Sequence, residues 1–419
     1  MVRPDQVFAQ QARPNVASLS MNGAEAKIFQ ALRQQGEISR TDISNLTGWS
    51  KAKTSHKIRE FVEKGLLVEV GEGASQGGRR PRLLQINVQL GYLVGMDIGA
   101  TSLDIALADV SGKICQRRTA VADVRQPPEE YLSRSRELIL EMAAAQGCIP
   151  GQILGIGIGV PGPVDFGRGV LVAPPLMPDW EHFLISAFLQ PAFPNAFIVV
   201  DNDVNIMALG EQRAGDGIGI DHFIFVKIGT GIGSGIISNG SIHRGSIGSA
   251  GDIGHICVDK QGPICRCGNT GCLEAMAAGP AISEKAVYAA THGASPLLRQ
   301  MMDANGGWLR PEDVNLACRE GDQAALDIIR ASGEMIGDVL AGLVNFFNPS
   351  HIFIGGGITS FGNHLLVAIR RAVLRRSLPL ATTHLVINFS RMGPDIGVIG
   401  AIALVSEYVF MPGGQFYRS

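Results

Sequence analysis

The sequence has few aromatic residues, few cysteines and no long apolar run, and each shortage narrows what the protein can be. Phe, Trp and Tyr make up 6% of the 419 residues, too few for the stacking platforms that bind single-stranded nucleic acid. Seven cysteines are too few for a disulfide framework in a chain of this length. No apolar run approaches the roughly 18–20 residues of a membrane helix, and the N-terminal residues lack the apolar stretch of a secretory signal. We therefore expect a cytoplasmic protein with no membrane partner.

The composition is otherwise that of a folded protein with more than one domain. Hydrophobic residues make up 46% and charged residues 18%, which excludes a disordered chain. The 53 glycines follow no G-X-Y period, which excludes collagen. At about 150 residues per domain, the length predicts two to three domains.

The net charge of −2 is unevenly distributed along the chain. Residues 24–85 hold eleven Lys/Arg and seven Asp/Glu, so this segment is basic while the remainder is acidic in sum. Such an asymmetry suggests that the N-terminal segment, called the head below, meets nucleic acid.

The head has the element order of a winged helix-turn-helix. A first helix is predicted over 24–35 from its apolar face. Ser39 and Asp42 form a capping box that begins a short second helix. Ser50 can cap a third helix that stops at Gly65. Two strands joined by a long glycine-rich turn follow.

We assign residues 24–88 to this winged helix-turn-helix domain and residues 1–23 to a flexible arm. The first turns of a recognition helix meet base edges in the major groove, and Arg side chains on a narrow turn suit the minor groove or phosphates. The alternative is a solvated basic face on a winged helix that binds a protein. The candidate DNA contacts are Lys51, Lys53, Thr54, Ser55, Lys57, Arg79 and Arg80.

From about residue 90, predicted strands alternate with predicted helices, which is typical of the α/β class. A strand–glycine turn–strand unit occurs twice, near 97–103 and 226–236. We expect residues 89–419 to form two related α/β lobes, split near 205–220.

Four potential metal ligands, His255, Cys265, Cys267 and Cys272, fall within eighteen residues. In a reducing compartment this spacing indicates metal ligation before it indicates a disulfide. Three thiolates and one imidazole fill a closed, tetrahedral, structural zinc site. The alternative is four unrelated buried residues.

Glycine-rich turns are the candidate phosphate loops. Glycine lets backbone N–H groups approach phosphate oxygens without a Cβ in the way. Neither a Walker loop nor the dinucleotide fingerprint fits the context of these turns, and each turn taken singly can be plain hairpin chemistry. The candidate nucleotide-binding residues are Asp97, Gly99, Thr101, Gly229, Thr230, Gly231 and Gly356.

Carboxylates supply the candidate sites for a polyhydroxylated ligand. Asn202 and Asp203 lie where a predicted strand ends and a helix begins, which is where α/β sheets place ligand groups. A carboxylate there can accept a proton from a hydroxyl, although either residue can also be a helix cap. Asp252 and Glu274 flank the metal loop and suit a polyol, or are solvated surface acids.

Together these motifs resemble the ROK family (repressors, open reading frames and kinases). The segments GDIGH and CRCGNTGCLE, at 251–255 and 265–274, closely match that family's signature. The segment SRTDISNLTGWSKAKTSHKI resembles the winged helix of the repressor branch, near xylose-repressor-type regulators. The resemblance covers about 24–410 and implies an actin/hexokinase-like fold, in which two α/β lobes bind a sugar and a nucleotide.

The resemblance also implies a role for each candidate residue. Asp203 matches the family's catalytic base, and the two glycine turns match its phosphate loops for ATP and Mg²⁺. The implied sugar contacts are Asn202, Asp203, Asp252, His255 and Glu274. The implied zinc ligands are His255, Cys265, Cys267 and Cys272.

Two departures from the family pattern matter, and the first of them favours a regulator over a kinase. Ala100 adds a Cβ where the kinases have glycine, and Ser102 stands where they have lysine, which removes a cation from the phosphate loop. Asp252 replaces the usual glutamate, and its shorter side chain bears on which sugar fits.

We interpret the protein as a sugar-responsive DNA-binding repressor of carbohydrate uptake or catabolic genes. It would carry a structural zinc and form a homodimer or a higher homo-oligomer. The first alternative is an ATP-dependent sugar kinase with an appended winged helix. A second alternative is a winged-helix module that binds a protein.

Overall fold

A computed structural model of the chain describes residues 23–72 and 81–409. They form two compact units. The first contains the described residues up to Arg213 together with those from Asp395 onward, and the second is Ala214–Pro394. No helix in the described ranges is long and apolar enough to cross a membrane.

The head, at the start of the first unit, is built from three helices and a small antiparallel sheet in the order β1-β3-β2. The two-residue strand β1, which pairs with β3 through Ile38 and Ser39, was not expected from the sequence. The elements are α1 (Gly23–Gln35), β1 (Ile38–Ser39), α2 (Arg40–Thr47), α3 (Lys51–Glu63), β2 (Leu67–Glu72) and β3 (Arg82–Ile86).

The helix ends in the head follow the predicted capping chemistry. The Ser39 N–H donates to Asp42 Oδ2 at 2.9 Å, and the Asp42 N–H donates to Ser39 Oγ at 3.2 Å, so the capping box is confirmed. The Ser50 hydroxyl accepts from the Lys53 N–H at 3.3 Å and caps α3. Within α3, Phe61 is buried, whereas Val62, the next residue in the sequence, is 37% exposed.

The remainder of the first unit is a five-stranded sheet in the order β10-β7-β4-β5-β6 with flanking helices. A separate two-stranded ribbon pairs β8 with β9. The elements are β4 (Tyr92–Ile98), β5 (Ser102–Asp109), β6 (Ile114–Val121), α4 (Pro128–Ala145), β7 (Ile153–Val160), β8 (Val164–Asp165), β9 (Val170–Leu171), α5 (Ile185–Leu189), β10 (Phe197–Asn202), α6 (Asp203–Ala214) and α14 (Ile396–Val409).

The second unit is a five-stranded sheet in the order β13-β12-β11-β14-β15, also with helices. The elements are β11 (Phe223–Ile228), β12 (Ile232–Ser238), β13 (Ser241–Ile242), α7 (Leu273–Ala277), α8 (Gly279–Thr291), α9 (Pro296–Ala304), α10 (Pro311–Arg319), α11 (Gln323–Phe347), β14 (His351–Gly355), α12 (Asn363–Arg376), α13 (Pro379–Thr382) and β15 (Val386–Phe389).

The two large sheets have the same topology. Each begins with three antiparallel strands in chain order, and then adds two parallel strands beside the first one. In each sheet a glycine-containing turn joins the first strand to the second, after β4 and after β11. The predicted α/β class and the repeated strand–glycine turn–strand unit are therefore confirmed.

The C-terminal helix α14 completes the first unit by packing directly on its sheet. A Cβ at Gly95 of β4 would overlap the Val398 carbonyl oxygen, and one at Gly157 of β7 would overlap the Ala401 carbonyl oxygen. Glycine at these two strand positions lets the helix backbone approach the strands closely.

Candidate functional site

The four predicted metal ligands converge in the second unit. The ligand atoms of His255, Cys265, Cys267 and Cys272 all lie within 4.8 Å of one another. Cys267 Sγ is 3.7 Å from Cys272 Sγ, and Cys265 Sγ is 3.6 Å from His255 Nδ1. With Zn–S bonds of about 2.3 Å and Zn–N bonds of about 2.0 Å, the edges of a tetrahedral site are about 3.5–3.8 Å. The geometry thus fits a tetrahedral metal of the zinc type.

Glycines and a short strand pairing bring these ligands together. Gly268 and Gly271 have φ angles of 89° and 69°, and a Cβ at Gly271 would overlap the Asp259 carbonyl oxygen. Cys257 and Cys272 pair in an isolated antiparallel bridge, which returns the chain to the neighbourhood of His255. The loop therefore closes through local backbone geometry that the sequence specifies directly.

Two thiols of this cluster hold their protons more firmly than a free cysteine does. Burial raises the pKa of Cys272 to about 12 and also raises the pKa of Cys265. The pKa of Cys267 is lowered, because hydrogen bonds from Asn269 and the neighbouring thiols outweigh the effect of burial. A metal ion that binds here must displace these protons, because thiolates rather than thiols are metal ligands.

Two carboxylates lie beside the metal cluster, as the sequence suggests. Glu274 Oε2 accepts a hydrogen bond from the Ile232 N–H at 3.1 Å, next to Gly231 in the turn between β11 and β12. Asp252 Oδ1 lies 3.9 Å from His255 Nε2. Burial raises the pKa of Asp252, and His255 opposes that shift. His255 thus presents Nδ1 to the thiols and Nε2 toward Asp252.

The other candidate ligand group lies in the first unit, where β10 ends and α6 begins. Asp203 is the first residue of α6 and is 5% exposed. The Asn202 amide is used within the protein: Nδ2 donates to the Gly162 carbonyl at 2.9 Å, and Oδ1 accepts from the Val204 N–H at 2.8 Å. The cap interpretation therefore holds for Asn202, whose bonds fix the backbone that carries Asp203.

The candidate nucleotide-binding residues are divided between the units. Asp97, Gly99 and Thr101 lie at the β4–β5 turn of the first unit, and a Cβ at Gly397 of α14 would overlap the Asp97 carboxylate. The remaining candidates lie in the second unit: Gly229, Thr230 and Gly231 at the β11–β12 turn, and Gly356 after β14 with a φ of 92°.

Two of the predicted DNA contacts on α3 face the protein instead. Thr54 is 1% exposed and packs into the head. Lys57 Nζ lies 2.8 Å from Glu25 Oε1 and 2.8 Å from Glu60 Oε2. This corrects the prediction for Thr54 and gives Lys57 a structural role, because α1 covers this side of α3.

The other side of α3 is open. Lys51 and Lys53 are exposed, and Lys53 Nζ lies 5.0 Å from the centre of the Trp49 ring. Ser55 is half-buried. His56 and Arg59 are also exposed on this face. Arg59 is not among the contacts predicted from the first two turns of α3, although its i, i+3 spacing places it on the same helix face as His56.

Comparison with known proteins agrees with this architecture. The ROK family pattern matches residues 93–408. The xylose repressor of Caldicellulosiruptor bescii is 34% identical over 369 residues, which cover 88% of this chain and 91% of that repressor. The glucokinase of Thermotoga maritima is 31% identical, covering 76% of this chain and 98% of the enzyme. A crystal structure of a ROK family transcriptional regulator, a homologue of the E. coli MLC protein, superimposes with a TM-score of 0.79 at 27% identity, covering 94% of this chain and 96% of that one.

The chain belongs to the ROK family. Within that family it falls in the transcriptional-regulator branch, because the repressor match extends over more of the chain than the glucokinase match does. The protein is thus a transcriptional regulator on a sugar-kinase fold. The actin/hexokinase-like fold expected from the resemblance is confirmed.

Proposed function

We propose that the protein is a sugar-responsive repressor that binds operator DNA through its head and a sugar through its ROK region. The observation that carries the proposal is helix α3. It is capped at Ser50, it is packed on one side against the head, and its open side presents Lys51, Lys53, His56 and Arg59. A capped helix with exposed cations at its N-terminal turns is the arrangement by which helix-turn-helix proteins enter the major groove.

Within the proposed DNA contact, the cations have different roles. Lys51 and Lys53 meet phosphates or guanine edges, and Ser55 can donate to a phosphate. Arg79 and Arg80 lie outside the described residues. We propose from the sequence alone that they contact the minor groove beside the major-groove site. Lys57 supports the helix from behind and does not touch DNA.

We propose that the sugar-binding residues are Asp203, supported by Asn202, in the first unit, and Asp252 and His255, supported by Glu274, in the second unit. Asp203 accepts a hydrogen bond from a sugar hydroxyl, because its carboxylate lies at a strand end, where α/β sheets place ligand groups. Asn202 orients that carboxylate through the backbone, and Glu274 does the same for the β11–β12 turn. Asp252 and the Nε2 atom of His255 offer an acceptor and a donor side by side for a further hydroxyl.

We propose zinc as the metal of the His255, Cys265, Cys267 and Cys272 cluster. Three sulfurs and one nitrogen form a closed donor set that leaves no open position, so the ion is structural. When bound, it neutralises the thiolates and fixes the loop between His255 and Cys272. Because Glu274 follows Cys272 by two residues, that loop also sets the position of Glu274.

The remaining assignments follow from this reading. Asp97, Gly99, Thr101, Gly229, Thr230, Gly231 and Gly356 stay candidate contacts for a nucleotide, with no phosphoryl transfer proposed. Residues 24–88 act as the DNA-binding domain, joined to a two-lobed sugar-binding domain over 89–419. We propose that the protein works in the cytoplasm as a homodimer on two half-sites, and controls genes of carbohydrate uptake or catabolism.

Operator affinity measured against salt concentration tests the proposal. The samples are wild type, Lys53→Ala and, as a matched control, Arg299→Ala, whose exposed guanidinium pairs with Asp303 on α9. If Lys53 contacts a phosphate, its loss lowers the salt slope by about one unit, and Arg299→Ala leaves the slope unchanged. If the wild type binds no DNA from its own upstream region, or if both variants match it, the head is not a DNA reader and the proposal fails.

A further inference from the structure

Three helices of the first unit end at one place, called the arginine junction below and defined by Arg33, Arg213 and Ser406. Arg33 lies in the last turn of α1, Arg213 in the last turn of α6, and Ser406 in the last turn of α14. The last four carbonyls of a helix have no partner within the helix. Each helix end also carries a partial negative charge of about half an electron.

Two guanidinium groups donate hydrogen bonds to carbonyls of this junction. The Arg33 Nη1 atom donates to the Ser406 carbonyl at 3.0 Å, and the Arg213 Nη2 atom donates to the Arg33 carbonyl. The contacts thus run in one direction, from the end of α6 to the end of α1, and from there to the end of α14. Both arginines are half-buried. Burial lowers the pKa of Arg33 to about 10, with Glu407 opposing that shift, and burial also lowers the pKa of Arg213.

Helix α6 links the arginine junction to the proposed sugar site. Asp203 is the first residue of α6, and Arg213 lies ten positions later, about 15 Å along the axis at 1.5 Å per residue. All residues of α6 from Asp203 to Glu211 are buried. A helix so enclosed moves as a body, because close-packed surroundings leave it little room to bend.

Helix α6 is also packed backbone to backbone against α14. A Cβ at Gly210 of α6 would overlap the Ile396 carbonyl oxygen, and a Cβ at Gly400 of α14 would overlap the Ile206 carbonyl oxygen. Two reciprocal glycine contacts fix the crossing of these helices. A shift of α6 along this crossing therefore changes the position of the Arg213 guanidinium relative to Arg33.

We infer that α6 carries the sugar signal to the head, with Arg213 and Arg33 as the positioning residues that couple Asp203 to α1. This inference rests on the proposed function and names its regulation. A sugar that binds Asp203 biases the position of α6, and Arg213 transmits that bias to the C-terminal end of α1, the first helix of the head. A ligand shifts an equilibrium only by binding one state better than the other. Here the sugar contact with Asp203 supplies that difference, and the two arginine–carbonyl bonds transmit it to α1.

The test compares how operator binding responds to sugar. The proteins are wild type, Arg213→Ala, Arg213→Lys, Asp203→Asn and the control Arg299→Ala. The sugar used is whichever of D-xylose, D-glucose and N-acetyl-D-glucosamine raises the melting temperature of the wild type most. For each protein, operator affinity is measured with and without that sugar, and sugar affinity is measured by calorimetry.

We expect the affinity of Arg213→Ala for the sugar to stay within about threefold of the wild-type affinity. The ratio of its operator affinities with and without sugar should fall at least about fivefold, which is the lower end of typical allosteric coupling. Arg213→Lys keeps the cation but loses the planar fork and should fall between the two. If Arg213→Ala does not fold, as judged by its melting curve, Arg213→Lys decides. Asp203→Asn should lose sugar binding itself, and Arg299→Ala should match wild type.

The alternatives separate cleanly. If the arginines merely hold the head in place, Arg213→Ala changes operator affinity by the same factor with and without sugar, the ratio stays at the wild-type value, and the inference is overturned while the proposed function stands. If the wild type binds none of the three sugars or its operator does not respond, the proposed function fails and the inference falls with it.

Discussion

Replacing Lys57 with alanine separates the structural lysine of α3 from the lysines proposed to meet DNA. Lys57 Nζ lies 2.8 Å from an oxygen of Glu25, whose side chain is 6% exposed. Its removal takes this ion pair away from the buried Glu25 carboxylate. Breaking a buried pair in this way typically costs about 3–5 kcal/mol. Because the Lys57 side chain is itself 26% exposed, solvent screens part of the pair, and we expect a loss of about 2 kcal/mol.

Hydrogen exchange followed by mass spectrometry measures this loss within the head. Peptides covering α1 and α3 should exchange about 30-fold faster in Lys57→Ala, since 1.4 kcal/mol corresponds to a factor of ten. Lys53→Ala is the matched control on the same helix. Its side chain is exposed, so exchange in the same peptides should stay within about twofold of wild type.

Operator titration of the same two variants should rank them the other way round from hydrogen exchange: Lys53→Ala, and not Lys57→Ala, should change the salt dependence. Lys53→Ala should lower the salt slope by about one unit if it contacts phosphate, and Lys57→Ala should keep the wild-type slope with weaker binding overall. The reasoning is refuted if Lys57→Ala exchanges like wild type and loses a unit of salt slope, because Lys57 would then be a phosphate contact.

Three further predictions concern the acid stability of the head, the packing of α6 on α14 and the metal cluster. Hydrogen bonds from Lys57 and then Lys64 lower the pKa of Glu60 to about 2 from an ordinary 4.5. The contribution of Glu60 to the stability of the head is therefore full above pH 4.5 and disappears as the pH falls toward 2. Acid titration followed by circular dichroism should show this loss, and Glu60→Gln should make stability less dependent on pH in this range. Gly210→Ala should destabilise the first unit by about 1–3 kcal/mol, because the added Cβ overlaps the Ile396 carbonyl. Gly342→Ala in α11 is the control: an added Cβ there meets nothing within 4 Å, so this variant should stabilise the protein by about 0.5–1 kcal/mol. Equal melting temperatures for the two variants would contradict the packing of α6 on α14. Purified protein should carry about one zinc per chain, and Cys267→Ser should lose it. Wild type should release the zinc on acidification, because protons compete for the thiolates. Elemental analysis of both proteins at pH 7 and pH 4 measures the metal content, and a content unaffected by Cys267→Ser would exclude this cluster as the site.

The features that the sequence predicted well are those set by near neighbours in the chain. The Ser39–Asp42 capping box and the Ser50 cap each depend on residues three positions apart, so their spacing alone defines them. The convergence of His255 with the three cysteines was predictable for the same reason. Eighteen residues with two glycines at positive φ can close only a small loop.

The features that escaped prediction depend on an element distant in the chain. The sequence of α3 predicts that Thr54 and Lys57 face DNA, because it does not reveal that α1 covers that side of the helix. Glu25 of α1 forms an ion pair with Lys57 there. Likewise, the sequence places Glu274 near the metal loop but does not reveal its bond to the Ile232 N–H. That bond exists only because β12 passes beside α7 in the folded second unit.

The first unit is assembled from two stretches of chain that are synthesised far apart in time. Its sheet and the head are made early, but α14, which packs on Gly95 and Gly157, is made some 180 residues after α6. Because domains form in the order in which their parts emerge, a growing chain carries a complete head before Arg33 can meet Ser406. During that interval α3 is present, but the contact between the end of α1 and the end of α14 is not. A chain released before α14 would therefore lack the Arg33–Ser406 contact, so the contact that we propose couples the head to the sugar-binding region forms only when the last part of the first unit is made.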